Sequence, residues 1–332
     1  MKKLVSIVVP AYNEGEVLRA FHARVQSVTE QLAQYDWEIV FVNDGSRDNT
    51  QLVIESLQSQ DDRISSVWLS RNFGKEIAMT AGLEHARGDA VVVIDADLQD
   101  PPELIAELLK AWEEGFDTAY ARRTRRDGES WVKKATAKVF YRLMGKLSNV
   151  EIPPDTGDFR LMSRRCVDAL LQLREHHRFM KGLFAWVGFP AKAIDYHRDP
   201  RAAGTTKFNY WKLWNFALEG ITSFSILPLK VASYVGVLIA LTAFIAGVWI
   251  IIKTVLWGDA VAGYPTLMVT ILFLGGVQLL FIGILGEYLG RIYNETKGRP
   301  LYFVQRFAPA ACVEAKNLGK THDSNKIKYQ HQ

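Results

Sequence analysis

The sequence predicts an α/β domain with a mostly parallel sheet, followed by a pair of membrane-spanning helices. Over residues 1 to about 120, short apolar runs alternate with amphipathic stretches, and a polar loop follows each of the first four runs. Further along the chain, charged residues are absent from two segments of membrane length. Alternation of strands and helices is typical of a parallel sheet covered on both faces, with ligands at the carboxyl ends of its strands.

The composition excludes a disordered chain and a fibrous repeat. Of the 332 residues, 48% are apolar and 23% are charged, which is ample for a packed core. Cys166 and Cys312 provide neither a disulfide framework nor a metal-ligand spacing, and this indicates a reduced, cytosolic setting. The apolar run before Pro10 is too short for a signal peptide and predicts a first strand instead.

The alternating part of the chain predicts strands and helices in turn. The strand candidates are apolar runs at 5–9, 38–42, 65–69, 90–94 and 118–121. The amphipathic stretches between them predict helices that begin near Glu16, Asp48, Lys75 and Pro102.

Polar loops follow the first four strands where each strand ends, at 10–14, 43–46, 71–75 and 95–100. Because the carboxyl ends of parallel strands meet at one edge of a sheet, these loops predict a single binding site.

Acidic residues in two of the loops indicate what the site binds. Asp44 has the chemistry to accept hydrogen bonds from a nucleobase or a ribose, but Asp-Gly-Ser is also an ordinary turn sequence. Asp95 and Asp97 would offer oxygen ligands to Mg²⁺ or Mn²⁺; alternatively, they only favour the start of the next helix. The first loop has no Gly-x-Gly-x-x-Gly and no P-loop motif, so the sequence does not support those nucleotide sites.

Two uncharged segments, 231–252 and 264–286, are each long enough to span a bilayer as a helix. Their link is too short to hold a domain, so they predict a hairpin whose outer ends share one side of the membrane. The alternative is a buried helical hairpin in a soluble core. Glycines recur along the second segment and would let another helix approach closely, which predicts a homo-oligomer.

The distribution of charge predicts the orientation of this hairpin. From Glu287 onward the chain has eight basic and four acidic residues, whereas the link has one of each. The positive-inside rule therefore predicts a multi-pass protein of the cytoplasmic (inner) membrane, with the α/β domain and both termini in the cytoplasm. The predicted organisation is a domain at 1–208, an amphipathic juxtamembrane segment at 209–229, two transmembrane helices within 230–290, and a basic tail at 291–332 whose end is disordered.

Short motifs occur in a fixed order along the chain, and together they resemble those of family 2 inverting glycosyltransferases with the GT-A fold, a Rossmann-like nucleotide-sugar domain. Within that family the chain is similar to the polyprenyl-phosphate glycosyltransferases, the group of bactoprenol glucosyltransferase and, more distantly, dolichol-phosphate mannose synthase. The resemblance runs from Leu4 to Phe303. Its motifs lie at 9–14, 42–46, 72–75, 95–103, 155–161, 178–182, 201–207 and 286–293.

The resemblance implies roles for the residues of the predicted site. Asp97, with Gln99, would coordinate Mg²⁺ or Mn²⁺ on the diphosphate, and Asp95 would lie beside the ribose or the sugar. The catalytic set would be Asp95, Asp97 and Asp158. The nucleotide-binding residues would be Pro10, Tyr12, Glu14, Asp44 and Asp95.

Asp158 stands where the family has a candidate catalytic base. A phosphomonoester acceptor is already mostly ionised near neutral pH, since its second pKa is about 6, and it needs no strong base. Asp158 would then orient the sugar or the acceptor. A third reading is an acid at the end of a strand that caps a turn.

Basic residues are concentrated between Ala119 and Arg142, a segment that contains eight Lys and Arg residues and two acidic residues. Such a run is usually a solvated face, but near a bilayer it would attract anionic lipid by about 1 kcal/mol for each basic residue. The resemblance implies that Arg122 and Arg126 contact the phosphate of the acceptor lipid. Arg201 and Lys207 are predicted to contact the same phosphate. They lie in a further basic loop that either closes over the diphosphate or is a flexible connector.

The predicted function is a membrane-anchored, metal-dependent hexosyltransferase that moves glucose from UDP-glucose onto undecaprenyl (polyprenyl) phosphate. The expected partners are the nucleotide sugar, the lipid phosphate and the bilayer, and nucleic acid is not expected. Alternatives are another donor (GDP-mannose, UDP-GlcNAc or a UDP-aminosugar), a processive polysaccharide synthase, or a membrane scaffold without activity.

Overall fold

The structure, a computed structural model, describes residues 2–123, 156–176, 178–196, 227–257 and 263–311. The described residues fall into two compact units. The first contains those up to Tyr196 together with those from Pro300 onward, and the second contains those between Leu227 and Arg299.

The first unit contains a sheet whose strands we label in chain order. They are β1 (Leu4–Ala11), β2 (Asp36–Asn43), β3 (Ile64–Leu69), β4 (Ala90–Val93), β5 (Thr118–Arg123), β6 (Thr156–Ser163), β7 (Ala191–Tyr196) and β8 (Val304–Ala308). Its helices are α1 (Leu18–Gln31), α2 (Thr50–Gln58), α3 (Lys75–His85), α4 (Ile105–Glu113), α5 (Arg164–Leu171) and α6 (Met180–Trp186), with a 3₁₀ turn at Pro102–Leu104.

The described strands are ordered β7-β5-β6-β4-β1-β2-β3-β8. The central strands β4, β1, β2 and β3 are parallel, as the sequence predicts. The flanks differ from that prediction, because β6 is antiparallel to both β4 and β5, and β8 is antiparallel to β3. The sheet is therefore mixed, and β6 separates β5 from the parallel centre.

Helices cover both faces of the sheet. On one face, α1, α2 and α4 enclose the main hydrophobic core, which includes Phe21, Phe41 and Phe159. On the other face, α3 packs so closely on β1 that a Cβ on Gly82 would lie 2.3 Å from Val8 Cγ1. Helices α5 and α6 pack on β6 beside α3. This packing fixes the central strand ends that carry the polar loops.

Strand β8 was not predicted from the sequence, which assigned its residues to the basic tail. It pairs along β3, with Phe307 opposite Val67. Beyond the strand, the backbone amide of Ala310 donates a hydrogen bond to Ser65 Oγ at 2.9 Å. The chain therefore returns after the second unit to complete the sheet that contains its first residues.

The second unit contains α7 (Leu227–Trp257) and α8 (Tyr264–Thr296). Within the described part of the chain, one stretch is long and apolar enough to cross a membrane, Phe273–Thr296, with a mean hydropathy of 1.5. The described residues of α7 include a shorter apolar stretch, Val231–Ala246. Length and composition thus leave the predicted two-helix hairpin unconfirmed. Most of the predicted juxtamembrane segment lies outside the described residues.

Candidate functional site

A cleft of about 310 Å³ opens at the carboxyl ends of the parallel strands, where the sequence predicts the site. All the residues predicted to bind the nucleotide line it, and so does Asp97. The lining consists of Pro10, Ala11, Tyr12, Glu14, Asp44, Asn72, Gly74, Lys75, Ala78, Asp95, Ala96 and Asp97.

The loops after β1 and β2 are tied together by hydrogen bonds. The backbone amide of Asn13 donates to Ser46 Oγ at 3.0 Å, and that of Glu14 donates to Thr50 Oγ1 at 2.9 Å. Asp48 accepts from the backbone amides of both Gly15 and Thr50. These polar residues of the second loop therefore position the first loop, and with it the cleft-lining Tyr12 and Glu14.

Asp44 is buried at the floor of the cleft. Its two oxygens accept hydrogen bonds from the backbone amides of Phe73 and Gly74, at 2.7 and 2.9 Å. Burial raises the pKa of Asp44, and these two amides oppose part of that rise. The next residue, Gly45, has φ +63°, and a Cβ there would lie 2.5 Å from the backbone of Arg71. Asp44 thus joins the second and third loops and still has lone pairs for a ligand.

Glu14, Asp95 and Asp97 bring three carboxyl groups to the lining of the cleft. Burial, followed by the charges of Asp97, Asp95 and Asp48, raises the pKa of Glu14 to about 7. A cation bound near Glu14 would relieve the repulsive part of this shift. Carboxylate oxygens suit Mg²⁺ or Mn²⁺, which commonly bind one or two protein carboxylates together with substrate phosphates. The donor set therefore fits a divalent cation shared with a diphosphate. Within the described ranges, no group of three or more His, Cys, Asp or Glu side chains would hold a metal by itself.

The loop that carries Asp97 has an uncommon backbone conformation. Leu98 has φ 57°, in the left-handed region that a branched side chain rarely adopts. The backbone amide of Gln99 donates to Asp97 Oδ1 at 3.1 Å, and the loop ends at the buried Asp100, which accepts a hydrogen bond from the Tyr196 hydroxyl. Strain of this kind is concentrated at functional sites. The Gln99 side chain is buried and does not line the cleft, so its predicted metal contact stays a prediction.

Lys75, the first residue of α3, joins two of the predicted catalytic acids. Its Nζ lies 2.7 Å from Asp95 and 2.5 Å from Asp158 Oδ2. Burial alone would lower the pKa of Lys75, but the two carboxylates outweigh burial and raise it well above its ordinary value. Lys75 is therefore a fixed cation between these two acids.

Asp158 is the third residue of β6, where it accepts from Lys75 instead of capping a turn. Burial would raise its pKa, but Lys75 and Lys181 oppose burial and hold the pKa below its ordinary value. Its other oxygen, Oδ1, is buried and accepts no hydrogen bond from any of the described residues. A carboxylate so stabilised is a weak base, although it has a free acceptor atom for a substrate.

The basic residues predicted to bind the acceptor are only partly described. Arg122 donates to both oxygens of Asp195, at 2.6 and 2.9 Å, and does not line the cleft. Its neighbour Arg123 lies on the opposite face of β5, where a Cβ on Gly157 would lie 3.2 Å from Arg123 Nη2. Arg123 also donates to the Tyr196 hydroxyl at 3.2 Å and lies 3.9 Å from Asp100, at the end of the loop that carries Asp97. The other three predicted residues, Arg126, Arg201 and Lys207, lie outside the described residues.

Sequence reasoning missed Lys75, Arg123 and Lys181 as residues of the site. Lys75 lies in the loop that follows β3, which the sequence places at the site, and this position could have identified it as a site residue. Arg122 and Arg123 must point to opposite faces of β5, because side chains alternate along a strand. The sequence does not give the register of β5, so it could not show which of the two arginines faces the site. Lys181 belongs to the motif 178–182, which was noted in the resemblance and given no role.

Comparisons with known proteins extend over almost the whole chain. Residues 6–171 match the model of glycosyl transferase family 2, and residues 227–292 match that of the GtrB C-terminal hairpin. An uncharacterized glycosyltransferase of Synechocystis sp. is 54% identical over 90% of this chain and 94% of its own. The prophage bactoprenol glucosyl transferase homolog of Escherichia coli is 49% identical over 91% of this chain and 98% of its own. Among solved structures, mannosyl-3-phosphoglycerate synthase from Rubrobacter xylanophilus matches with a TM-score of 0.46 at 21% identity, over 65% of this chain and 71% of that one.

Proposed function

This chain belongs to glycosyl transferase family 2, and from that premise we propose that it transfers glucose from UDP-glucose to a polyprenyl phosphate at a membrane. The observation that supports this proposal best is the cleft at the ends of the parallel strands. It combines the buried carboxylate of Asp44, which can accept hydrogen bonds, with the acids Asp95 and Asp97. The sugar and the lipid follow the printed name of the Escherichia coli relative.

The nucleoside would occupy the part of the cleft between the first three loops. Asp44 has lone pairs for the base or the ribose, and Tyr12, which is 40% exposed, offers a ring face beside them. The diphosphate would lie toward Asp97. A bound Mg²⁺ or Mn²⁺ would neutralise charge on the leaving diphosphate, with Asp97 as its protein ligand, Asp95 and Glu14 nearby, and Gln99 a further predicted ligand.

Transfer would be a single in-line displacement. An oxygen of the acceptor phosphate forms a bond to the anomeric carbon, while the bond from that carbon to the β-phosphate oxygen breaks and its electron pair leaves with UDP. The acceptor is already an anion, so no proton has to be removed. Asp158 would therefore orient the sugar, because its Oδ1 can accept a hydrogen bond from a sugar hydroxyl, and its ion pair with Lys75 supports this role over that of a base.

A membrane hairpin would anchor the first unit to a bilayer. Strands β1 and β8 belong to one sheet, so the segment between them must leave and return on the same side of any membrane it crosses. The number of crossings is then even, which favours two spans from α7 and α8 over a single span by Phe273–Thr296. The cytoplasmic orientation and the homo-oligomer remain predictions from the sequence.

A donor panel tests the proposal. Membranes that contain the protein would be incubated with undecaprenyl phosphate and labelled UDP-glucose, GDP-mannose or UDP-GlcNAc, with and without EDTA. We expect label in the lipid fraction from UDP-glucose, and its loss with EDTA. Transfer from another donor alone would overturn the choice of sugar. Label only in a soluble glycan, or full activity without metal, would overturn the proposal.

A further inference from the structure

Lys181, the second residue of α6, has a half-buried side chain beside the proposed site. Within the part of the chain that the structure describes, its ammonium group forms no hydrogen bond and no ion pair. Lys75 and Lys192, by contrast, each contact a carboxylate. An ammonium group that is partly removed from water without an acceptor is costly, unless an anionic ligand supplies one.

The packing of α6 on β6 directs Lys181 toward Asp158. Phe159 lies in the main core, so its neighbours Asp158 and Arg160 share the other face of β6. The guanidinium of Arg160 lies 3.6 Å from the ring centre of Phe184 on α6. Because residues three apart share one face of a helix, Lys181 lies on the side of Phe184 that faces β6.

The charges around Lys181 agree with this placement. Burial lowers its pKa, and the charge that acts on it most strongly is that of Asp158, followed by Arg123 and Glu76. Glu76 also fixes the start of α6, because its Oε2 accepts a hydrogen bond from the backbone amide of Met180 at 3.2 Å. Lys181, Asp158 and the first turn of α3 therefore lie close together.

The negative charge of Asp158 would oppose the approach of a phosphate group. Asp158 repels an anion, and Lys75 is already engaged by two carboxylates. A further cation is needed for a phosphate to approach Asp158 Oδ1, and Lys181 is half-buried there with no acceptor among the described side chains. The cleft that would hold the donor is lined by Lys75 and Asp95 but by neither Asp158 nor Lys181. An in-line displacement brings the acceptor from the side opposite the leaving diphosphate, so the acceptor phosphate needs a place outside the part of the cleft that holds the donor. Asp158, joined to the cleft-lining Asp95 through Lys75, is next to such a place.

We propose that Lys181 binds the phosphate of the polyprenyl acceptor. This inference rests on the proposed function, since it names a residue for the acceptor of that reaction. Arg160 acts as a positioning residue, because its stacking on Phe184 fixes α6 against β6.

The test compares Lys181→Gln and Lys181→Met with wild type and with Lys110→Gln, which changes an exposed lysine on α4. Farnesyl phosphate in detergent serves as acceptor, so that recognition of phosphate is measured apart from attraction to a bilayer. Loss of one charge-assisted contact should raise the KM for farnesyl phosphate about tenfold or more. The KM for UDP-glucose should stay within about twofold, and Lys110→Gln should keep the wild-type KM for both substrates.

A second measurement covers the case in which both variants unfold. In wild-type protein, acylation of Lys181 by an amine-reactive ester, followed by mass spectrometry, should slow when farnesyl phosphate is added and not when UDP alone is added. An unchanged KM for farnesyl phosphate in a folded variant, a rise confined to the KM for UDP-glucose, or protection by UDP alone would overturn the role of Lys181. Absence of transfer by wild type to any polyprenyl phosphate would instead overturn the proposed function.

Discussion

Replacing Lys75 by methionine tests how the two acids beside the cleft are held. The change keeps an apolar stem of similar length but removes the charge that lies 2.7 Å from Asp95 and 2.5 Å from Asp158. The carboxylates would then repel each other and move from their positions. At an effective dielectric constant of about 20, each attraction is about 6 kcal/mol before the cost of desolvation is subtracted.

The net effect is smaller, because the Lys75 side chain is 43% exposed and solvent screens its charge. We take about 2 to 3 kcal/mol as the loss of transition-state stabilisation, which corresponds to a fall in kcat of about 30-fold to 150-fold. Lys75→Met and the control Lys110→Met would be compared in a lipid-extraction assay with labelled UDP-glucose. Turnover of Lys75→Met within about threefold of wild type, in folded protein, would refute the reasoning.

A double-mutant cycle separates this electrostatic role from general damage to the site. Asp158→Asn removes one of the two acids that Lys75 holds. If Lys75 acts through Asp158, the free energies of unfolding of Lys75→Met and Asp158→Asn should be non-additive by about 1 kcal/mol or more. Additive effects in chemical denaturation would contradict a direct coupling between the two side chains.

The remaining predictions concern the core, the nucleotide site and acid stability. Gly82→Ala should lower the free energy of unfolding by about 1 to 3 kcal/mol in chemical denaturation, because its Cβ would meet Val8 at 2.3 Å; an unchanged value would contradict the close packing of α3 on β1. Asp44→Asn should weaken UDP binding about tenfold in calorimetry, because an amide group cannot accept from two backbone amides with both of its polar atoms; wild-type affinity would contradict this. Burial would raise the pKa of Asp61, but hydrogen bonds from His22 and Arg63 outweigh burial and hold it below its ordinary value of 3.8. The stability that Asp61 contributes is therefore complete above about pH 4 and is lost as the pH falls through the lower pKa of the folded state. The difference in free energy of unfolding between wild type and Asp61→Asn should shrink below pH 4. A difference that stays constant with pH would contradict this role of Asp61.

The sequence was a good guide to the centre of the sheet. Central parallel strands are buried on both faces and appear as continuous apolar runs, so β1 to β4 begin and end within two residues of their predicted bounds. Polar loops at their ends are then brought together by topology alone. This is why the sequence alone predicts that Asp44, Asp95 and Asp97 share one site.

The flanking strands could not be predicted in the same way. Strand β6 contains Asp158 and Arg160, whose burial depends on Lys75 and Phe184 far away in the chain. Strand β8 has only five residues, two of them polar, and its place in the sheet depends on pairing with β3, more than 200 positions earlier in the chain. The partner of Arg122 likewise depends on the pairing of β5 with β7, which no local pattern reveals.

The configuration of the product tests the central claim most directly. Wild-type protein would be incubated with UDP-glucose, whose glucose is α-linked, and undecaprenyl phosphate, and the extracted lipid would be examined by mass spectrometry and NMR at the anomeric carbon. A single in-line displacement predicts a β-linked glucosyl phosphate on the lipid. An α-linked product, or glucose found only on a soluble molecule, would contradict the account.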